Sequence, residues 1–189
     1  TPYTSSAASD VYKRQMSAYQ WDSAFTELFN RCLEQYKIGN EDFNSYYSEA
    51  DLAFLKSIGC KPRELFDFVE DLGDGGEPTM TTAVMIASVR RDYLEHVMEG
   101  QLSEHEIKPE ELPDRGEELE GFVWLPRIIM KARGKLRGEL DPDIMFGCGG
   151  DRHFFRTHDI APSDFLRAVW AAGDDDSKIV DFVNQYSKA

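Results

Sequence analysis

DLAFLKSIGCKPRELFDFV, residues 51–69, and DRHFFRTHDIAPSDFLRAV, residues 151–169, are one pattern written twice at an offset of 100 residues. Asp51 aligns with Asp151, Phe54 with Phe154, Pro62 with Pro162 and Val69 with Val169. Leu55, Leu65 and Phe66 fall on Phe155, Phe165 and Leu166. In both copies apolar residues return at helical spacing, the mark of a helix buried along one face. The pair predicts a duplicated helical unit. The fold class is all-α: two related halves of about four helices each, packed as one bundle-like unit.

Working outward, Phe25, Leu28, Phe29, Cys32, Leu33 and Tyr36 form one helical face, and Gly39 ends it. Ser48 or Asp51 caps a short helix through Ile58, and Pro62 opens the next. GDGGEP at 73–78 breaks the chain before a longer helix from about Thr79 to Met98, with Ala83, Ile86, Val89, Tyr93, Leu94 and Val97 inward. Residues 99–120 are Glu-rich and without an apolar period, which predicts a solvated acidic linker between a first half at 16–98 and a second at 121–189. In the second half Leu125, Ile128, Ile129, Ala132 and Leu136 make the first apolar stripe, and Gly138 stops it. Asp151 caps a short helix, Pro162 starts another, Gly173 to Asp176 make a turn, and a last helix from about Ser177 buries Ile179, Val180, Phe182 and Val183. No strand alternation stands out. Residues 1–15, TPYTSSAASDVYKRQ, are polar and aperiodic and resemble translated adaptor sequence at the ends of metagenomic reading frames. They are expected to be a non-native or disordered leader, with Met16 as the start.

The formal net charge of −14 opposes nucleic-acid phosphates and anionic membrane surfaces, so neither is an expected partner. No apolar run reaches the roughly 18 residues of a membrane span. Cys32, Cys60 and Cys148 are an odd, widely spaced set, which fits a reducing, cytoplasmic setting better than a disulfide framework or zinc site.

LPRIIMKARGKLRG at 125–138, the Cys148 to Asp151 segment leading into RHFF, and FLRAV followed by DDDSKIVDFV resemble an uncharacterised bacterial family, domain of unknown function 5069, over about residues 123–183. The family has a Cys-Pro-Leu-Asp-like turn where this chain carries Gly149-Gly150. The resemblance implies a helical bacterial cytoplasmic domain and assigns no activity.

Candidate functional residues cluster in the second half. Arg127 and Lys131 share one flank of their helix and suit a clamp on a phosphate or carboxylate; the alternative is pairing with acidic residues of the first half or linker. Glu27 and Arg31 occupy the equivalent positions upstream, so packing about a pseudo-two-fold axis predicts a Glu27–Arg127 contact. Cys148, in a Gly-rich loop before a helix start, is either a reactive thiol or a half-buried structural one. Asp151 is a cap, a ligand contact or a general base. The leading expectation is a small interaction or ligand-binding module. Arg127, Lys131, Asp151 and His153 would line a groove between the halves, facing a protein or small anionic ligand, with no metal or cofactor. The second is an enzyme acting on a small anionic substrate, with Cys148 or Asp151 as its reactive group.

Overall fold

The computed structural model describes residues 18–40 and 42–187; the leader expected at 1–15 lies outside them. Among the described residues the chain is all-α apart from one short hairpin. The first half carries α1 (Trp21–Lys37), α2 (Glu49–Ser57), α3 (Pro62–Gly75) and α4 (Met80–His96). The second carries α5 (Leu125–Arg137), α6 (Gly149–Thr157), α7 (Pro162–Ala172) and α8 (Asp176–Tyr186). α2 and α6, and the starts of α3 and α7, fall at the same offset of 100 residues as the sequence pattern.

Local chemistry sets these boundaries. Ser48 and Asp51 form a capping box at α2: the Ser48 hydroxyl accepts the Asp51 N–H, and the Asp51 carboxylate accepts the Ser48 N–H. Pro62 and Pro162 occupy first-turn positions, where a missing N–H costs nothing. Gly76, at φ 75°, closes α3, so that helix runs further into GDGGEP than the composition predicts.

α4 packs against α1 and α3 on one side and α5 and α7 on the other. One continuous core joins both halves, from Phe25 and Phe29 through Ile86 and Val89 to Leu125, Phe165 and Val183. Val97, expected inward, ends the α4 stripe half-exposed, while Arg90 is buried in it. Polar ties add to the apolar junction: Lys135 pairs with Glu64, Arg152 with Asp71 and Arg156 with Glu77. No helix of the described residues is long and apolar enough to cross a membrane.

The stretch read as a solvated linker is partly built into the fold. Ile107 is 2% exposed. Its N–H donates to the Glu139 carbonyl at 2.7 Å and its carbonyl accepts from the Asp141 N–H at 3.2 Å, a bridge that lays the segment along the end of α5. Leu112 is buried too. Two isolated buried residues five apart leave no periodic signature, which is why the sequence pattern misses them. Further on, β1 (Glu118–Leu119) pairs antiparallel with β2 (Phe122–Val123), turning through Glu120 and Gly121, both at positive φ.

Candidate functional site

The chain leaves β2 and enters α5 through Trp124, which has φ 78° although it is not glycine. Such a conformation costs roughly 1–3 kcal/mol and persists only where surrounding contacts impose it. Here the contact is Asp151: the indole Nε1–H donates to Asp151 Oδ1 at 2.9 Å. The other oxygen, Oδ2, accepts the Gly147 N–H at 2.8 Å and pairs with the Lys131 ammonium. Asp151 is fully buried and Lys131 is 3% exposed. A buried carboxylate is tolerable only when its lone pairs are filled and its charge is matched, and this one meets both conditions. The Lys131 ammonium also touches Cys148 Sγ at 3.2 Å.

Two expectations are corrected here. Asp151 is not the N-cap of its helix: α6 begins at Gly149, Cys148 holds the cap position without a side-chain cap bond, and Asp151 reaches back from the first turn to Gly147. Arg127 and Lys131 do not form an open clamp. Lys131 turns inward to Asp151, while Arg127 donates to the Pro113 carbonyl at 2.6 Å and lies over the Trp124 ring, 5.7 Å from its centroid. The expected Glu27–Arg127 contact is absent among the described residues; α1 and α5 are not principal packing partners, and Glu27 is exposed.

The first half contains the same arrangement in a plainer form. Arg31 pairs with Asp51 at 2.6 Å beside Ser48, as Lys131 pairs with Asp151 beside Cys148. There the cation is 52% exposed, the cap is a hydroxyl and Ala24 stands at the position of Trp124. The second half buries the pair, substitutes a thiol and adds an indole. Gly150 makes the indole possible: a β-carbon there would overlap the Trp124 ring.

Trp124 forms one wall of an open cavity of about 520 Å³ between the hairpin and α6. Phe122, Gly150, His153, Phe154 and His158 are among its other lining residues. The His158 ring meets Phe154 at 4.4 Å and Phe122 at 5.3 Å between centroids. Its Nδ1 bonds the Ser187 hydroxyl at 2.7 Å, and partial burial pushes the imidazole below its ordinary pKa, toward the neutral form. His153 is exposed on the rim. So, of the four residues expected to bind a ligand, His153 lines this cavity and the other three lie behind or beside its Trp124 wall.

The groove at the junction of the halves is a different place. Glu77, Thr79, Arg152, Arg156 and Tyr186 are among its lining residues; Arg127, Lys131, Asp151 and His153 are not. Cys32 and Cys60 are buried, and burial raises both thiols, Cys32 to about 11. Cys148 alone of the three is partly accessible. Trp124, Gly150 and Phe122 are missed by reading the second half alone. Comparing residue 24 with 124 and 48 with 148 carries the signal.

Residues 113–189 match the model of the family Domain of unknown function (DUF5069). The matched segment begins upstream of the resemblance seen in the sequence and takes in Pro113 and the hairpin. Every residue of the Trp124 cavity and of the Lys131–Asp151 pair lies inside it. No curated protein and no solved structure matches the chain. The family description assigns no reaction.

Proposed function

We propose that this chain is a small ligand-binding module, and that its ligand seats in the cavity between the hairpin and α6. The observation that carries this reading is Trp124, an indole held at positive φ by a buried Asp151–Lys131 pair and presented as a cavity wall. A core needs no such device. Strained residues that persist under several contacts cluster where a protein binds or reacts. The lining of Phe122, Trp124 and Phe154 with two imidazoles suits a flat, largely apolar molecule with a hydrogen-bonding edge, such as a heteroaromatic ring. A reducing, cytoplasmic setting fits three free thiols.

The enzyme reading has less support. The Asp151 carboxylate matches the Lys131 charge within the buried pair, and Arg127 is committed to Pro113 and Trp124. That leaves neither cation open for an anionic substrate.

Ligand-observed NMR with a panel of planar heteroaromatic fragments tests the proposal. Fragments should bind the wild-type protein and lose that binding in Phe122→Ala and His153→Ala, both of which alter cavity-lining side chains and should leave the fold intact. No binding, or binding that both variants retain, contradicts it.

A further inference from the structure

The turn that follows α2 and the last turn of α5 meet over one buried side chain. Arg90, on α4, is 1% exposed. Its Nε donates to the Gly59 carbonyl at 3.1 Å and its Nη1 to the Leu136 carbonyl at 2.8 Å, so one guanidinium ties the turn after α2 to the last turn of α5. Nη2 is left with nothing. Among the described residues it is the one buried side-chain nitrogen or oxygen with no hydrogen-bond partner. Native proteins leave few such groups, because an unsatisfied buried donor forfeits its hydration without return.

The surroundings indicate what Nη2 lacks. It sits between Gly59 and Gly138, both at positive φ; a β-carbon would fall 2.8 Å from it at Gly59 and 2.6 Å at Gly138. Both glycines and Arg90 line an open cavity of about 210 Å³. Lys56, Lys61 and Arg137 line it as well, and no carboxylate does. Four cations around one small opening are unexpected in a chain of net charge −14. Two of the rim cations already have partners: Arg137 pairs with Glu139, and Lys61 donates to the Leu140 carbonyl. Glu139 accepts from Arg137 Nε at 2.7 Å and from the Ser103 hydroxyl at 2.8 Å, and Glu106 lies 3.8 Å from Lys61. Lys56 has no ion-pair partner among the described residues.

Helix C-termini attract cations through their dipoles, and Lys56 and Arg137 are in last-turn positions. That accounts for a cation at each end. It does not account for a third, wholly buried cation that already bonds a carbonyl in each half and still has a free donor. We propose that this cavity is a binding site for a phosphate-like oxyanion, with Arg90 as its floor and Lys56, Lys61 and Arg137 as its rim. The cavity is too small for a drug-sized molecule but large enough for a phosphate group. Guanidinium and ammonium donors are the usual partners of such an anion.

The test is thermal unfolding of the full chain in sodium phosphate, in glycerol phosphate and in sodium chloride at matched ionic strength. A ligand that binds only the native state raises Tm, and the rise grows with the logarithm of ligand concentration above Kd. Either phosphate should raise Tm above the chloride value by about 3 °C or more at concentrations well above Kd. The rise should be lost in the double variant Lys56→Ala with Arg137→Ala, which leaves the buried Arg90 bonds in place. A larger rise with glycerol phosphate would identify an ester as the occupant; a larger rise with phosphate, the free ion. Equal rises in wild type and variant, or no rise beyond chloride, would overturn the proposal. Arg90→Lys, which keeps a cation but cannot span both carbonyls, should also abolish the effect; if that variant does not fold, the rim variant decides.

Discussion

The Asp151 carboxylate accepts from Trp124, Gly147 and Lys131 at once, so its removal strands three partners in a dry site. Breaking a buried pair from one side costs about 3–5 kcal/mol, whereas replacing both members with apolar residues costs much less. Asp151→Ala and Lys131→Met should each destabilise strongly in denaturant titrations. The double variant Lys131→Met with Asp151→Leu should lose less than the sum of the single losses. Strict additivity would mean that the pair is not coupled. Asp67 carries an independent signature. Burial pushes its carboxyl up to about 6, with Arg63 at 2.8 Å pulling the other way. A folded pKa above the unfolded value means that the native state binds the proton more tightly. The ionised group therefore destabilises at pH 7, and that penalty is relieved as pH falls through 6 toward the unfolded value. Asp67→Asn should be more stable than wild type at pH 7.5, and the advantage should shrink by pH 4.5. A gap that is constant with pH would refute the assignment.

At the scale of elements, most of the architecture is legible in the chain. Ser48, Pro62, Pro162 and Gly138 act locally, and each marks its boundary where the sequence predicts it, because caps and breakers depend on neighbours a few residues away. What escapes the sequence depends on distant partners. Asp151 reads as a cap like any carboxylate before a helix; only the arrival of Trp124 and Lys131 makes it the centre of a buried network. Arg127 and Lys131 share a flank on a helical wheel, yet their partners draw one inward and hold the other at Pro113. The 99–120 stretch is the same case. Ile107 anchors it through one buried side chain and two backbone bonds, a signal too sparse to read as a period. Ile107→Ala should therefore cost about 2–5 kcal/mol, as for other buried Ile truncations. Substitution of the exposed Glu110 should cost almost nothing. Equal, small losses at both positions would return the segment to the role of a solvated linker.

For the molecule as a whole, the two halves share a core across α4 and are tied by Arg90, Lys135–Glu64, Arg152–Asp71 and Arg156–Glu77. The equivalent sites have diverged. The first half keeps an open Arg31–Asp51 pair with a hydroxyl cap, while the second buries Lys131–Asp151, adds a thiol and props Trp124 into a cavity wall. Under the function proposed above, the second half carries the ligand cavity, and that reading requires Trp124 to be both fixed and in contact with ligand. The direct measurement is the indole N–H signal of Trp124 in a ¹H–¹⁵N NMR spectrum, assigned with Trp124→Phe and followed through hydrogen exchange and fragment titration. A signal slow to exchange, lost from that position in Asp151→Asn, and shifted by bound fragment while those of Trp21 and Trp170 stay still, is the predicted result. An indole that exchanges freely, or one unmoved by fragments that shift the others, would contradict the account.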